Sequence, residues 1–255
     1  MITSSSNTQV KRVIQLSRKA RERKKQQIFV VEGRKMFQEA PREWLEQVYV
    51  TENFEIEHKN VLDGIDYEVV DERIFTQMSD TQTPQGILCL VKMPVYTLDE
   101  VLKGDNPLCV ILEDLQDPGN VGTIFRTAEG AGVTGILLSR NTVDLFNPKT
   151  IRSTMGSIYR MPFLYVEDLC EILPELEKRS IHTYAAHLRG ENAYDCEDYR
   201  RGTAFFIGNE GNGLSERLSS RADSFIKIPM EGKVESLNAA VASSVLMYEA
   251  YRQRR

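Results

Sequence analysis

The chain has 255 residues, of which 41% are hydrophobic and 27% are charged, and its formal net charge is −5. This is ordinary for one large or two modest globular domains, and no apolar run reaches the roughly 20 residues that a membrane-spanning helix needs. The N-terminus lacks the apolar core of a secretion signal, and the four cysteines are widely spaced. We therefore expect free thiols, a cytoplasmic location, no membrane association and no metal site.

Charge is distributed unevenly along the chain. Residues 1–35 hold ten basic side chains and two acidic ones, a local charge of +8, which leaves −13 on the other 220 residues. Such asymmetry is typical of a surface that binds a polyanion such as RNA, although charged runs are also typical of solvated helix faces. The predicted RNA contacts in this segment are Arg21, Arg23, Lys24 and Lys25.

Residues 1–95 predict a small α/β domain. Helical patterns cover 7–24, 33–40 and 71–78. The predicted strands are QIFVVEG, EQVYVT, DYEVV and GILCLVK. The next stretch, KMPVYTLDEVLKGDNP, contains two prolines and a glycine without a long apolar period, which favours a domain boundary. We therefore predict domains at 1–95 and 108–255, joined by a linker at 96–107.

From residue 108 onward, apolar strands alternate with helical patterns. The predicted strands are LCVILED, GILLS, IHTYAAH, TAFFIG and SFIKIP. This alternation predicts a mainly parallel sheet with helices on both faces. The last helix is apolar almost all round between Ala239 and Tyr248, so it must be buried on more than one side. Its own sheet and a second copy of the chain would together bury it.

The first candidate loop joins a strand to a helix through the turn DPGN. The helix has one apolar stripe, made of Val121, Ile124, Phe125, Ala128 and Ala131. Arg126 points away from that stripe. It is either a functional cation or an ordinary solvent-facing arginine, and Asn120 is either a functional amide or the helix N-cap.

Two later loops carry further candidates. In FFIGNEGNGLSERL the glycines follow a G-x-x-G-x-G spacing, which differs from the G-x-G-x-x-G of nicotinamide sites and from the phosphate-binding loop of ATPases. Glu210 lies among these glycines, which permit close approach of a small molecule. In IKIPMEGKVESLNAAV, Ser236 is a predicted N-cap, and it lies with Asn238 at the start of the last helix, where free N–H groups attract negative charge.

Four segments share a family pattern in their order and spacing. They are DPGNVGTIFRTAEGAGV, DLFNPKTIRSTMGSIYRMPF, GNEGNGLS and IPMEGKVESLNAAVA. Together they closely resemble the SpoU (TrmH-type) branch of the SPOUT RNA methyltransferases. FVVEGRKMFQEA and TPQGILCLVKMP resemble the substrate-binding domain of its ribosomal-RNA members, so the resemblance covers nearly the whole chain after residue 10.

The resemblance implies an α/β catalytic domain with a deep trefoil knot, a feature that is rare among folds. The smaller N-terminal α/β domain is then a ribosomal-protein-like RNA-binding module. The knot forms the pocket for S-adenosylmethionine, which is held bent, mostly by backbone groups. Gly208, Ile228 and Leu237 match the lining positions of this pocket, with Gly211 close by. The family also implies a homodimer through the knotted domain, which agrees with the apolar last helix.

The implied reaction is transfer of a methyl group to a ribose 2′-hydroxyl of RNA. Arg126, Glu210, Ser236, Asn238 and Asn120 match catalytic-site positions of the family. A guanidinium does not readily accept a proton, so we expect Arg126 to hold a phosphate and to stabilise the developing alkoxide. Glu210 is a candidate to orient Arg126 as an ion-pair partner.

The implied substrate is structured ribosomal RNA, with 23S rRNA favoured over tRNA. Lys149 and Arg152 are additional candidates for phosphate contacts, with ordinary surface charge as the alternative. Two other functions stay open, namely a tRNA 2′-O-methyltransferase and a non-catalytic RNA-binding protein of the same fold. A role in antibiotic protection also stays open, whereas the glycine spacing disfavours a nicotinamide dehydrogenase.

Overall fold

The computed structural model describes residues 1–188, 190, 192–234 and 236–255. It divides into two compact units. The first contains Met1–Pro94 together with Asp144–Tyr159, and the second contains Val95–Val143 together with Arg160–Arg255. The division is therefore not purely sequential, and the boundaries proposed at 95 and 108 stay a prediction.

The strands coincide with the apolar segments of the sequence. In chain order they are β1 Ile28–Glu32, β2 Leu45–Thr51, β3 Tyr67–Val70, β4 Ile87–Lys92, β5 Leu108–Leu112, β6 Gly135–Ser139, β7 Phe163–Val166, β8 His182–Ala186, β9 Asn192–Ala193, β10 Thr203–Ile207 and β11 Ser224–Lys227. All nine predicted strands are confirmed. Two were not predicted: β7, and the two-residue β9.

The helices are mostly short. In chain order they are α1 Thr8–Arg18, α2 Ala20–Gln26, α3 Arg34–Glu39, α4 Glu52–Glu57, α5 Glu72–Met78, α6 Leu98–Val101, α7 Pro118–Gly130, α8 Pro148–Thr154, α9 Leu173–Lys178, α10 Glu216–Ser219 and α11 Ala239–Arg254. The prediction of one helix over 7–24 is wrong, because Lys19 is extended (φ −120°, ψ 109°) and separates α1 from α2. No helix in the described ranges is both long and apolar enough to cross a membrane.

The first unit has a four-stranded sheet in the order β1-β4-β2-β3. β4 runs antiparallel to β1 and β2, and β3 runs parallel to β2. On α1, Val10, Val13 and Leu16 follow the helical repeat, and all three are buried in the core of this unit.

The segment 144–159 packs into this same unit. The hydroxyl of Tyr159 donates to the carbonyl oxygen of Met36 at 3.1 Å, and the rings of Phe29 and Phe146 lie 5.0 Å apart. α8 thus belongs to the first unit although its sequence lies between β6 and β7.

The second unit has a seven-stranded sheet in the order β7-β6-β5-β10-β8-β11-β9, and each pair of neighbours is parallel. The expectation of an α/β fold with a mainly parallel sheet and a smaller N-terminal domain is confirmed. The trefoil knot stays a prediction.

Cys89, Cys109 and Cys170 are buried free thiols, and Cys196 is an exposed one.

α11 packs against α7 and the sheet but is not enclosed on all sides. Its buried residues are Ala240, Ser243, Leu246, Met247 and Ala250. Val241 and Tyr248 are each 49% exposed and Tyr251 is 41% exposed, which leaves an apolar stripe open on this helix.

Candidate active site

The candidate loops follow strands whose carboxyl ends meet at one edge of the seven-stranded sheet. β5 and β10 are neighbours, and Leu112 pairs with Ile207 at their last position. The loop after β5 is residues 113–117, leading into α7, and the loop after β10 is residues 208–215. The third loop precedes α11 and ends at Asn238. In open parallel sheets, ligands bind beyond the carboxyl ends of the strands.

The first two loops are joined directly. The side-chain amide of Asn209 donates to the carbonyl oxygen of Asp114 at 2.7 Å. The carboxylate of Glu113 accepts from the backbone N–H and the hydroxyl of Ser215, at 2.7 and 2.6 Å. Charge-assisted bonds of this kind are stronger than bonds between neutral groups, so they fix the two loops to each other.

Glu210 is a second connection between these loops. Its carboxylate accepts hydrogen bonds from the backbone N–H groups of Gln116 and Asp117 and from Nδ2 of Asn120, each at 3.0 Å. Burial by itself would raise the pKa of Glu210. The hydrogen bonds from Asn120, Gln116 and Asp117 outweigh that effect and hold the pKa below its ordinary value. Glu210 is therefore an anion that orders the start of α7.

Asn120 extends the network to the third loop. Its Oδ1 accepts from Nδ2 of Asn238 at 3.0 Å. Oδ1 of Asn238 accepts in turn from the N–H groups of Ala240 and Val241, at 2.9 and 3.3 Å. One continuous chain of hydrogen bonds, from Glu210 through Asn120 to Asn238, thus joins three loops that are far apart in sequence.

The structure corrects the predicted helix caps. α7 begins one residue after Asp117, whose side chain accepts from the N–H of Asn120, so Asp117 is the N-cap and Asn120 lies inside the first turn. α11 begins at Ala239 and is capped by Asn238, so Ser236 is not its cap. Ser236 is exposed two residues before that cap. In both cases the helix begins at a different residue than the sequence suggested, and the capping geometry shifts with it.

The glycines of the second loop allow a tight closure. Asn209 and Gly213 exchange backbone hydrogen bonds at 3.0 and 2.9 Å. A Cβ at Gly208 would lie only 2.1 Å from the carbonyl carbon of Gly213, so only glycine fits there. Gly213 has φ +69°, and Gly211 is exposed and donates its N–H to Oδ1 of Asn209 at 2.9 Å.

Arg126 lies on the exposed face of α7, opposite the buried residues Ile124 and Phe125. It makes no hydrogen bond or ion pair with any residue that the structure describes. The expected ion pair with Glu210 does not form. Asn120, which binds Glu210, lies six residues earlier in α7, about 9 Å along the axis, and backbone amides occupy the rest of the Glu210 carboxylate.

The matched cofactor positions lie at or close to this edge. Ile228 directly follows β11, Gly208 directly follows β10, and Leu237 directly precedes Asn238. All three are half-buried, and none carries a charge. Half-buried, uncharged residues of this kind suit the aromatic base and the sugar of a nucleoside ligand that is held by backbone groups.

A cleft of about 480 Å³ lies at the opposite, amino edge of the same sheet, and its lining includes His182, Arg201 and Asp223. No residue that the structure describes in the three loops lines it. The motif residues that the structure brings together, Glu210, Asn120 and Asn238, lie at the carboxyl edge instead.

The predicted RNA contacts of the first unit separate into two kinds. Arg21, Lys24 and Lys25 are exposed, and their spacing places them on one face of α2. Arg23 is only 3% exposed, so its prediction as an RNA contact is wrong. Its guanidinium donates to the carbonyl oxygens of Leu16 and Ser17 and to the carboxylate of Asp144, and one Asp144 oxygen lies 2.6 Å from Nη2.

Lys149 and Arg152 lie one turn apart on α8. Lys149 is exposed. Arg152 is partly exposed, and its Nη1 lies 3.0 Å from a carboxylate oxygen of Asp80.

The sequence interpretation did not identify Asp117, Glu113 and Asn209. An available signal for Asp117 was its position before Pro118, because aspartate at the N-cap followed by proline at N1 is a common helix start. Glu113 and Asn209 carry no such local signal, because both act on residues about 100 positions away.

Comparison with known proteins agrees with the motif pattern. Residues 107–248 match the SpoU rRNA Methylase family, and residues 7–89 match the MRM3-like substrate binding domain. A Bacillus subtilis (strain 168) protein, 23S rRNA (guanosine(2553)-2′-O)-methyltransferase RlmP, is 32% identical over 249 residues, which cover 97% of each chain.

Two comparisons with Streptomyces viridochromogenes proteins extend this result. The 23S rRNA (uridine(2479)-2′-O)-methyltransferase is 33% identical over 178 residues, which cover 68% of this chain and 62% of that protein. The crystal structure of the SpoU methyltransferase AviRb in complex with the cofactor AdoMet superposes with a TM-score of 0.88 at 26% identity, covering 97% of this chain and 98% of that one.

Proposed function

The chain belongs to the SpoU rRNA methylase family, and from this premise we propose that it transfers a methyl group from S-adenosylmethionine to a ribose 2′-hydroxyl of 23S rRNA. The observation that carries the proposal is the chain of hydrogen bonds from Glu210 through Asn120 to Asn238. It links the three motif loops at the sheet edge where parallel α/β folds bind ligands.

S-adenosylmethionine, when bound, supplies a methyl group on a sulfonium, which is already a good electrophile. Gly208, Ile228 and Leu237 would hold it with their backbone groups, and Gly211 would lie nearby. The chain's remaining task is alignment, which contributes up to roughly 10 kcal/mol in ideal intramolecular cases. The rigid network of the three loops suits this task because its polar groups need no rearrangement on binding.

Arg126 is the proposed cation for the RNA. It is exposed and has no partner among the described residues, so its charge is available for a phosphate next to the target ribose. There it would stabilise the developing negative charge on the 2′-oxygen, while the hydroxyl proton leaves to phosphate or to water. Ser236, exposed two residues before the N-cap of α11, would orient the sugar, and Asn238 would hold in place the loop that carries Ser236.

We further propose a homodimer through the second unit. The apolar stripe of Val241, Tyr248 and Tyr251 on α11 supports it, because exposed apolar residues that line up on one helix are typical of an interface. The cytoplasmic location and the knotted pocket that the family implies are parts of the same proposal.

Ribosomal RNA is favoured over tRNA because the two 23S rRNA relatives match this chain beyond its catalytic part. A first unit that resembles a substrate-binding domain and carries exposed basic residues on α2 is consistent with a large structured RNA.

The proposal is tested by incubating the chain with tritiated S-adenosylmethionine and either unmodified 23S rRNA or unmodified tRNA. We expect label in one ribose of the 23S rRNA, with Arg126→Ala as the inactive control. Label in tRNA alone would favour the tRNA enzyme. Calorimetric binding of S-adenosylmethionine without methyl transfer to either RNA would contradict the proposed activity and favour a non-catalytic RNA-binding protein.

A further inference from the structure

The loop that joins α5 to β4 in the first unit is held firmly at its start. The carboxylate of Glu32, at the end of β1, accepts hydrogen bonds from the hydroxyl of Ser79 at 2.8 Å and from that of Thr81 at 2.7 Å. The N–H of Asp80 points to the same carboxylate at 3.4 Å. A carboxylate that binds several donors of one short segment fixes the backbone of that segment.

The same loop is held at its end. Oε1 of Gln85 accepts from the N–H of Arg34 at 3.2 Å. This contact needs Gly33, which has φ +102° and at which a Cβ would lie 2.9 Å from Oε1 of Gln85. The carbonyl oxygen of Gly86 accepts from the N–H of Thr51 at 2.9 Å. Residues 80–85, here called the recognition loop, are thus anchored on both sides.

The tip of the recognition loop is polar and unengaged. Gln82 and Thr83 are exposed, and their side chains make no hydrogen bond within the described part of the chain. An amide and a hydroxyl can each both donate and accept hydrogen bonds. Because the loop is anchored, these groups lose little conformational freedom when they bind a partner.

Cations lie on both sides of the recognition loop. Arg34 directly follows Gly33 and is exposed, next to Gln85. On the other side, Arg152 pairs with Asp80 at 3.0 Å, and Lys149 lies one turn earlier on α8, exposed. The carboxylate of Glu32, which contacts the loop, and that of Asp80, which belongs to it, are both engaged. A polar tip between cations is typical of a surface for nucleic acid.

We propose that the recognition loop reads unpaired nucleotides of the RNA substrate. Gln82 and Thr83 bind the edges of bases that are splayed out of the RNA, while Arg34 and Lys149 bind the flanking phosphates. Glu32 is a positioning residue that acts through the loop. This assignment rests on the proposed function, because it takes the substrate to be RNA.

Unpaired nucleotides fit this surface better than a duplex. The major groove of an RNA helix is too deep and narrow for side chains to read, whereas the bases of loops and bulges are accessible on their hydrogen-bonding edges. A two-residue polar tip matches one or two such bases.

The test compares two double variants of the full chain. Gln82→Ala/Thr83→Ala removes the amide and hydroxyl of the tip, and Asn60→Ala/Thr76→Ala removes the same groups from exposed positions elsewhere in the unit. We expect the first to raise the KM for a 23S rRNA transcript about 10-fold at unchanged kcat, because these contacts exist equally in the ground state and the transition state. The control should leave the KM within about twofold. Equal KM values for both variants and the native chain would overturn the proposal.

The positioning role of Glu32 is tested by a double-mutant cycle. Glu32→Ala should raise the KM by itself, but it should add almost nothing in the Gln82→Ala/Thr83→Ala background, because it acts through the same groups. Glu32→Gln should restore part of the affinity, since its amide oxygen still accepts from Ser79 and Thr81. Fully additive effects, or a change in kcat only, would refute this role.

Fluorescence anisotropy with labelled 23S rRNA fragments separates failure of this inference from failure of the proposed function. If the native chain binds the fragments without methylating them, the enzymatic assignment fails while the loop can still be tested by affinity. If the native chain methylates and the tip variant binds as tightly as the native chain, only the loop assignment fails. Binding of a protein partner in place of RNA would also contradict it.

Discussion

The carboxyl edge of the seven-stranded sheet and the basic helix α2 of the first unit differ in how many of their polar side chains are bonded inside the protein. At the sheet edge, Glu210, Asn120 and Asn238 bind one another and the backbone, which leaves Arg126 as a cation without a partner among the described residues. On α2 the opposite holds, since Arg21, Lys24 and Lys25 are exposed, and Arg23 alone is buried in a network.

This difference separates side chains that hold the protein's own loops in place from side chains that are available to bind a ligand. A side chain whose hydrogen bonds are all made inside the protein contributes to stability and geometry, and its loss leaves buried partners unsatisfied. An exposed cation contributes little to stability and is available to a ligand. Variants of each kind should therefore move different measurements.

The largest effect is expected for Arg126→Ala. We expect kcat to fall about 1,000-fold, because one preorganised charge at the developing oxyanion is lost, while the free energy of unfolding changes by less than about 0.5 kcal/mol. Steady-state methylation at saturating RNA measures kcat, and urea unfolding measures the free energy of unfolding. Arg126→Lys keeps the charge but loses the planar fork, and near-full turnover of that variant would show that the fork is irrelevant.

Arg23→Ala should show the reverse pattern. The loss of its guanidinium leaves the Asp144 carboxylate and two backbone carbonyls without their partner, and we expect a decrease of about 3 kcal/mol in the free energy of unfolding. Arg21→Ala, at an exposed position of the same helix, is the matched control and should change it by less than about 0.5 kcal/mol. Equal urea midpoints for the two variants would show that Arg23 contributes no more to stability than the exposed Arg21.

Glu210→Gln tests the network of the three loops. Glutamine would direct its NH₂ group at a neighbour that is itself a donor, so we expect a loss of about 1–2 kcal/mol in stability and a roughly 10-fold lower kcat/KM. Glu216→Gln, at an exposed carboxylate of α10, is the control. Normal activity of Glu210→Gln would show that the loops hold together without this anion.

A smaller effect is expected for Lys24→Ala/Lys25→Ala. If these side chains bind phosphates, affinity for 23S rRNA should fall several-fold, and the slope of log affinity against log salt should decrease by about 1.5–2. Filter binding at several salt concentrations from roughly 50 to 200 mM measures this slope. An unchanged slope would mean that α2 is only a solvated helix face.

The smallest effect is a pH dependence from Glu210. Its pKa is lower in the folded state than its ordinary value, so the unfolded state binds the proton more tightly. The contribution to stability is therefore complete above the ordinary glutamate pKa of about 4.3 and declines as the pH falls below it. The free energy of unfolding of the native chain should show this decline between pH 5 and 3, roughly the titration range of glutamate. The Glu210→Gln variant should lack the part of the decline that comes from Glu210.

Much of the fold was predictable because its signals are local. The apolar segments predicted nine strands, and their alternation with helices predicted the parallel sheet. The break at Lys19 was not predictable in this way, since the helical pattern continues across it. The short β9 was missed as well, because a two-residue strand has almost no pattern of its own.

The sequence identified some residues of the candidate site, but it did not identify their contacts. The motifs identified Asn120, Glu210 and Asn238, yet Glu210 binds backbone amides and Asn120 in place of Arg126. In the first unit the pattern of charges could not distinguish Arg23 from Arg21, because both stand in the same basic run.

The sequence by itself determined most of the secondary structure, the parallel type of the seven-stranded sheet and the residue types available at the carboxyl edge, since these depend on periodicity, turn residues and composition over short distances. Only the tertiary structure decided which of these residues meet. The parallel register of β5 and β10 brings Glu113 to Ser215 and Glu210 to Asn120 across about 100 residues of chain. The packing of residues 144–159 into the first unit brings Asp144 to Arg23, and a buried charge must find its partner wherever the fold places one.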